Sequence, residues 1–307
     1  MIPLVAEWLH LLSLVSVSPA SVVGRWDLTV ADGERRYPSW FEVVQGTDSL
    51  AGRFQGEFGH ATEIVGIVVD GSRFRFAWPS EDAPAATATR VEGTIRGGRY
   101  LSGVITEPSG KRHHFQAVRA PALAGAASTR WGQPVLLLAG GLATWRVRHP
   151  KDGNGWKFEN GEIVNSPPSA DLITKRTFSD FKLHVEVNVP PKGNSGIYLR
   201  GRYEVQVQDD FGKEPFSRRM GGVYGQVTPT TLPAKPAGEW QVFDITMIGR
   251  RVTVVLNGVT IIDGQEIPGI TGGALDSREG DPGPIMLQGD HSGIRYRNIV
   301  VQPAVQR

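Results

Sequence analysis

Apolar and polar residues alternate one by one along many short segments of this 307-residue chain, and glycine-containing turns separate the segments. Successive side chains of a β-strand point to opposite faces, so this alternation predicts strands with one buried face and one polar face. The chain holds 38 glycines and 21 prolines, and none of its segments shows the periodicity of a long helix. The sequence therefore predicts an all-β fold with many turns.

The composition excludes several classes of protein. Apolar residues make up 40% of the chain and charged residues 21%, which is typical of a globular protein and excludes a disordered one. The 33 basic and 31 acidic residues form no clustered basic stripe, so we expect no nucleic-acid partner. The absence of cysteine excludes disulfides, thiolate metal sites and cysteine nucleophiles. No nucleotide-binding loop or nucleophile elbow occurs, and we predict neither a cofactor nor a resident metal.

The first residues of the chain have some features of an export signal. Residues 2–17 are mostly apolar but too few to span a membrane comfortably, and small residues follow at 18–20. No lysine or arginine precedes Arg25, so the usual positive start is missing. We predict a signal or extension over residues 1–23, a periplasmic or extracellular location and no membrane span. A helical extension or a misplaced start codon is the alternative interpretation.

The rest of the chain divides into two strand-rich regions. Residues 24–119 contain about eight short strands at the spacing that predicts a small antiparallel β barrel or sandwich. Residues 120–133 begin with small, uncharged residues and are interpreted as a linker. Residues 134–304 form the second region. We expect two independent cores, with the chemistry confined to the second region.

Two short motifs support this division. Gly24-Arg25-Trp26 resembles the Gly-x-Trp opening of lipocalin-type barrels. In the second region, Asn257-Gly258 lies between two β-branched runs and predicts a hairpin, because both central residues of such a turn need a positive φ.

Three consecutive segments of the second region, 181–189, 196–200 and 203–208, alternate most clearly. If they are neighbouring strands, their polar side chains stand about 5 Å apart and form a floor suited to sugar hydroxyls. The alternative is a solvated face whose charges pair with one another. The polar set is His184, Glu186, Tyr198, Arg200, Glu204, Gln206 and Gln208.

The same region resembles the 3-keto-disaccharide hydrolase domain family across residues 134–304. The resemblance is carried, in family order, by residues 171–175, 179–186, 193–207, 223–226, 235–241, 256–259 and 297–299. It implies a concanavalin-like jelly-roll sandwich with a concave sugar-binding sheet, and a carbohydrate-active enzyme that cleaves 3-keto glycosides. It implies nothing about residues 1–125. Residues 137–142 depart from the family's opening, and Ser292 separates His291 from the glycine that usually follows it.

A 3-keto sugar needs a base over C2, an electrophile at the C3 oxygen and an acid at the leaving oxygen. We expect Glu204 to transfer the proton, with Arg200 or His184 stabilising the enolate and Glu186 completing the catalytic set. Trp240 is interpreted as a core residue rather than a stacking platform, and Asp290-His291 as structural rather than as a second acid/base pair or metal ligand. The expected substrate-binding residues are Lys175, Tyr198, Gln206, Gln208, Gln226, Gln288 and His291.

Two other functions are compatible with the same sandwich. A non-catalytic carbohydrate-binding protein would use the same groove without turnover, and an interaction scaffold would use the first region for docking. A pure sugar binder needs amides and aromatic rings more than paired titratable groups. The titratable residues at 184, 186, 200 and 204 therefore favour an enzyme acting on an oligosaccharide or another small glycoside.

Overall fold

The computed structural model describes residues 22–79, 87–123 and 129–305. The predicted export signal, up to residue 21, and positions 124–128 of the predicted linker lie outside these ranges. Strands dominate, and the helical elements include two short 3-10 turns, Gly141–Thr144 and Pro150–Asp152. The predicted all-β fold is confirmed. In the described ranges, no helix has the length and apolar character needed to cross a membrane.

The first region forms one antiparallel sheet. Each strand pairs with its neighbour in the chain except across the β4–β5 connection, and the first strand also pairs with the last. The sheet therefore curls into a nearly closed barrel around a core of aromatic and aliphatic side chains. Its strands are β1 (Gly24–Asp32), β2 (Arg35–Gln45), β3 (Leu50–Gln55), β4 (Thr62–Glu63), β5 (Val65–Asp70), β6 (Arg73–Trp78), β7 (Thr89–Arg96), β8 (Tyr100–Thr106) and β9 (Arg112–Arg119).

The second region is a sandwich of two sheets. The larger one, here the back sheet, contains β10 (Arg130–Trp131), β11 (Val135–Leu136), β13 (Lys157–Glu159), β14 (Glu162–Val164), β16 (Phe181–Asn188), β19 (Trp240–Ile248), β20 (Arg251–Leu256), β21 (Val259–Glu266) and β23 (Arg295–Val305). The smaller one, here the front sheet, contains β12 (Trp145–Val147), β15 (Leu172–Thr174), β17 (Asn194–Leu199), β18 (Tyr203–Gln208) and β22 (Met286–Leu287).

The order of strands in each sheet fixes which side chains can meet. The back sheet runs β13-β14-β23-β16-β19-β20-β21, and the short strands β10 and β11 also pair with β23. The front sheet runs β12-β15-β22-β17-β18. The predicted linker therefore ends earlier than expected, because β10 already belongs to the sandwich. The predicted hairpin joins β20 and β21, with φ values of 50° at Asn257 and 82° at Gly258.

The core of the sandwich holds the apolar face of each alternating strand. Leu183, Val185 and Val187 of β16 meet Val205 and Val207 of β18 across it. The polar faces of these two strands consequently point out of the sandwich on opposite sides, with two sheets about 10 Å apart between them. The predicted alternation is confirmed. The expectation that β16 is a neighbour of β17 is wrong, because β16 pairs with β19 and β23.

The barrel and the sandwich share a packed interface. Trp40 of β2 is fully buried in the core of the sandwich, and its indole Nε1 donates to Ile270 O at 2.8 Å. A Cβ added to Gly269 would lie 2.5 Å from Trp40 Cε2, so only glycine allows the ring to approach this closely. Arg25 also forms a buried ion pair with Glu279 across the interface. The inserted tryptophan and the charged contact are thus two of the connections between the barrel and the sandwich.

Trp40→Ala should lower the free energy of unfolding by about 3–5 kcal/mol, because a large cavity and an unpaired carbonyl remain at the interface. Urea denaturation followed by circular dichroism measures this loss. Tyr100→Ala, at a ring that is 60% exposed on the same sheet, is the matched control and should change stability by less than about 0.5 kcal/mol. A loss below about 1 kcal/mol for Trp40→Ala would show that the insertion does not hold the two regions together.

Candidate active site

A cleft of about 1090 Å³ lies on the outer face of the front sheet. Its floor carries the outward side chains of β17 and β18, namely Asn194, Tyr198, Glu204, Gln206 and Gln208. The first region provides another wall, which includes Arg35, Arg36, Tyr37, Pro38, Glu57, Phe58 and Gly59. The expectation that the second region alone would build the groove is therefore wrong.

Glu204 occupies a tightly defined position in this floor. It lies directly opposite Tyr198 in the β17–β18 ladder, and only 5% of its surface is exposed. A Cβ added to Gly196 would lie 2.4 Å from Glu204 Oε1, so the missing side chain at 196 makes room for the carboxyl group. The Tyr198 hydroxyl lies 3.0 Å from Glu204 Oε2 and 2.9 Å from Gly272 O. These contacts fix both the position and the orientation of the carboxyl group.

The two oxygens of Glu204 have different partners. With its NH2 group turned toward the carboxyl group, as the surrounding acceptors require, the Gln206 amide donates to Glu204 Oε1 at 3.1 Å and to Ser195 O at 3.1 Å. When Glu204 is ionised, the Tyr198 hydroxyl can donate to Oε2. When Glu204 is protonated, Oε2 can donate to Tyr198, whose own hydrogen then turns to Gly272 O. The network therefore accommodates both protonation states.

Burial raises the pKa of Glu204 to about 8, against the opposing effect of the Tyr198 hydrogen bond. Burial also raises the pKa of Tyr198 well above its usual value, so the phenol stays neutral. Asp171, at the entrance to β15, has a pKa raised by burial, although Arg148 lies 3.2 Å from its Oδ2. At neutral pH the floor of the cleft thus contains a mostly protonated carboxyl group that can both give and take a proton.

His291 brings positive charge to the same cleft. Its Nδ1 lies 2.8 Å from Asp290 Oδ1, and this hydrogen bond raises the pKa of His291 while it lowers the pKa of Asp290. The imidazole is close enough to Glu204 that its charge favours the ionised carboxylate. Within the described ranges, no three His, Asp or Glu side chains come together as a group that could hold a metal ion.

Of the remaining predicted binding residues, two line the cleft and two do not. Gln208 and Gln288 line the cleft, and Gln288 Oε1 is buried without a hydrogen-bond partner among the described residues. Gln226 lies behind the wall, where its amide accepts from Gly269 N at 3.0 Å and donates to Ile270 O at 2.9 Å. It therefore positions the loop that receives Trp40. Lys175 is exposed and is not among the described residues that line the cleft.

Arg200 lies outside the cleft, contrary to its predicted place beside Tyr198. The alternation of β17 ends at Leu199, and Arg200 begins the tight turn to β18 with a φ of 52°. Its guanidinium group is buried, donates to Gly249 O and lies 5.3 Å from the centre of the Tyr203 ring. The turn rotates the side chain away from the floor, so Arg200 does not lie beside Glu204 to stabilise an enolate as expected.

His184 and Glu186 are likewise not brought to Glu204. They lie on the outer face of the back sheet, where His184 Nδ1 is 2.7 Å from Asp244 Oδ1 and Arg297 Nε donates to Glu186 Oε2 at 2.7 Å. For these two residues the structure shows the alternative to a sugar-binding floor, namely a solvated face whose charges pair with one another. Trp240 lies on this sheet, partly exposed, with the Arg297 guanidinium 4.0 Å from its ring centre. The interpretation of Trp240 as a core residue is therefore wrong.

The structure also adds residues that the sequence analysis missed. Asp171 stands within a stretch that carries the family resemblance, and a lone acid directly before the apolar strand β15 is a signal that could have identified it. Arg148 donates to Gly273 O at 2.9 Å as well as to Asp171, and so holds one wall of the cleft. No sequence pattern connects the segments 35–38 and 57–59 to this site, since only tertiary packing brings them there.

Comparison with known proteins identifies a family for the second region. The sequence model of the 3-keto-alpha-glucoside-1,2-lyase-like domain matches residues 135–302 and leaves the barrel outside the match. No curated protein matches the chain significantly.

Several solved structures are similar to part of this chain. A candidate glycosyl hydrolase from Parabacteroides distasonis ATCC 8503 is 28% identical, with 60% of this chain and 94% of that chain covered and a TM-score of 0.49. A second one from the same organism is 22% identical, with 56% and 100% covered and a TM-score of 0.45. The carbohydrate binding module CBM66 from Bacillus subtilis is 13% identical, with 51% and 93% covered and a TM-score of 0.33.

Glu204→Gln should stabilise the protein at alkaline pH. The pKa of Glu204 is about 8 in the folded protein and about 4.5 when unperturbed, so its contribution to stability is full below about pH 4.5 and is lost as the pH rises through 8. Glutamine cannot ionise and avoids this loss. We expect the melting temperature of Glu204→Gln to exceed that of the wild type by several degrees at about pH 8.5, with the difference shrinking toward about pH 5.

Differential scanning calorimetry across this pH range checks the expectation. Glu239→Gln, at an exposed carboxylate in the same region, is the matched control and should follow the wild type at every pH. Parallel curves for Glu204→Gln and the wild type would mean that the pKa of Glu204 is not raised.

Proposed function

The chain belongs to the 3-keto-alpha-glucoside-1,2-lyase-like domain family, and from that premise we propose that it cleaves the glycosidic bond of 3-keto glycosides. Glu204 supports this proposal most directly. It is a buried carboxyl group with a pKa of about 8, fixed in the floor of a cleft large enough for a disaccharide. A proton-transfer residue with a pKa near the working pH is what the removal of a hydrogen next to a ketone requires.

The reaction proceeds through an enolate. The ketone at C3 acidifies the hydrogen on C2, and a base removes that proton to give the enolate. The enolate expels the substituent at C1 as its oxygen receives a proton, and water then adds across the resulting double bond. Ordinary glycoside hydrolysis instead depends on two carboxyl groups that flank the bond at a defined separation.

Glu204 acts as the base in its ionised form. A carboxylate withdrawn from water is a stronger base than an exposed one, because its pKa is higher. The proton from C2 binds to Oε2, and the Tyr198 hydroxyl then turns its own hydrogen from Glu204 to Gly272 O. Gln206 holds the other oxygen throughout. Tyr198 and Gln206 are therefore positioning residues that keep the carboxyl group satisfied before and after the transfer.

His291 supplies the proton for the leaving oxygen at C1. Its hydrogen bond with Asp290 favours the imidazolium form, which can donate a proton in the cleft where Glu204 accepts one. The neutral imidazole produced in this step can then accept a proton from the water that adds to C1, while the protonated Glu204 returns its proton to C2. This role replaces the expected contributions of Arg200 and His184, whose side chains lie outside the cleft.

A non-catalytic carbohydrate-binding function is the second candidate. It is favoured by the row of amide side chains in the cleft, Asn194, Gln206, Gln208 and Gln288, which suits sugar hydroxyls without any proton transfer. Turnover of a 3-keto disaccharide separates the two candidates, since a binding protein would retain the sugar and release no product.

Glu204→Gln should lower kcat on a 3-keto glucoside by at least about 100-fold, because general base catalysis typically contributes 10²–10⁴-fold. Release of the free sugars and exchange of the C2 hydrogen in deuterated water, both followed by NMR, measure the effect. Glu186→Gln, on the outer face of the back sheet, is the control and should retain activity within about threefold. Retention of activity within about tenfold by Glu204→Gln would remove Glu204 from the role of base.

The pH dependence of kcat/KM provides an independent test. The base must be ionised in the free enzyme, so the rate should rise with pH through about 8, the pKa of Glu204, before any fall caused by deprotonation of the acid. A rising limb that persists unchanged in Glu204→Gln would assign that limb to another group and contradict the role of Glu204 as base.

A further inference from the structure

Phe58 lines the cleft but has no part in the proposed chemistry. It lies in the turn between β3 and β4 of the barrel, outside the part of the chain that matches the family. Its side chain is 70% exposed even though neighbouring residues of the turn pack against the sandwich. An exposed phenylalanine is common on protein surfaces, so the way in which this turn is held decides whether the ring has a function.

The turn that carries Phe58 is organised by a buried amide. Gln55 is only 1% exposed, and its Nε2 lies within hydrogen-bond distance of three carbonyl oxygens of the turn: those of Gly56 at 3.1 Å, Phe58 at 3.2 Å and Gly59 at 3.3 Å. A buried side chain surrounded by the backbone of one turn fixes the course of that turn. Phe58 is therefore presented on a preorganised backbone.

The turn is also joined to the candidate active site. Gly273 N donates to Glu57 O at 2.9 Å, and a Cβ added to Gly272 would lie 2.6 Å from Gly59 O. Gly272 O is in turn the partner of the Tyr198 hydroxyl, which contacts Glu204. These contacts together fix the position of the barrel wall that bears Phe58 relative to Glu204, the proposed base.

With C2 of the sugar against Glu204 and its hydroxyls on the amide floor, the substituent at C1 must find its contacts elsewhere in the cleft. Phe58 lines the same cleft and offers an exposed aromatic face. Aromatic rings bind the apolar face of a sugar ring or a flat aromatic ring by stacking. Resting on the proposed function, we infer that Phe58 is the stacking platform for the ring of the leaving group. The preferred substrates are then 3-keto glycosides whose leaving group is a ring, and the barrel confers this preference.

The test compares three substrates: methyl 3-keto-α-glucoside, phenyl 3-keto-α-glucoside and a 3-keto disaccharide. Phe58→Ala should raise KM about tenfold for the two substrates with a ring in the leaving group and by less than about twofold for the methyl glycoside, with kcat nearly unchanged. Tyr100→Ala, at a ring that is 60% exposed and outside the cleft, is the control and should change none of these constants. The relative KM values of the phenyl glycoside and the disaccharide show whether an aryl or a sugar ring is preferred.

Two further variants separate stacking from simple apolar contact. Phe58→Trp keeps an aromatic face and should retain KM within about twofold, whereas Phe58→Leu keeps apolar volume without that face and should resemble Phe58→Ala. An equal rise in KM for the methyl glycoside would overturn the inference, and so would wild-type behaviour of Phe58→Leu.

Failure of the proposed reaction would give a different result from failure of the stacking contact. If the wild type turns over none of the three substrates, the reaction is wrong. Calorimetric titration with phenyl α-glucoside then tests the stacking contact by itself. Binding that is about tenfold weaker in Phe58→Ala would support the platform, and equal binding by both proteins would overturn it.

Discussion

Each residue of β18 points either into the core of the sandwich or out into the cleft, because successive side chains of a strand lie on opposite faces of the sheet. Val205 and Val207 are held in the core by the hydrophobic effect, which fixes Glu204 and Gln206 on the opposite face. The pairing of β17 with β18 then sets Tyr198 beside Glu204 and leaves room at Gly196 for the carboxyl group. The floor of the cleft is placed this accurately because a register slip of one residue would expose the core.

The sequence predicts on which face of a strand a side chain lies, but it does not predict which strands become neighbours. Period-2 alternation identifies the face on which a side chain lies, so the outward positions of Glu204 and Gln206 could be derived. It does not identify the neighbouring strand, so His184 and Glu186 were placed with Glu204 although they lie across the core. Arg200 was misplaced because alternation was extended one residue into a turn. The barrel wall of the cleft depends on the insertion of Trp40, for which no local pattern exists.

A raised carboxyl pKa does not by itself identify the site. Burial, together with the nearby Glu279, raises the pKa of Asp27 to about 8, as high as that of Glu204. Asp27 lies beside Arg25 at the interface of the barrel and the sandwich, is buried, and is not among the described residues that line the cleft. Glu204 differs because its carboxyl group faces a cleft, has a partner for each protonation state and shares the space with a second titratable group. Access and hydrogen bonding, rather than the pKa alone, distinguish the two residues.

The insertion of Trp40 has a consequence for ligand binding. Because the cleft has one wall on each side of the barrel–sandwich interface, a ligand that contacts both walls binds only when the two bodies are docked. Thermodynamic linkage then makes the effect reciprocal: ligand affinity depends on how firmly the bodies dock, and a bound ligand strengthens the docking by the same free energy. Residues at this interface that never touch the ligand are therefore determinants of its affinity.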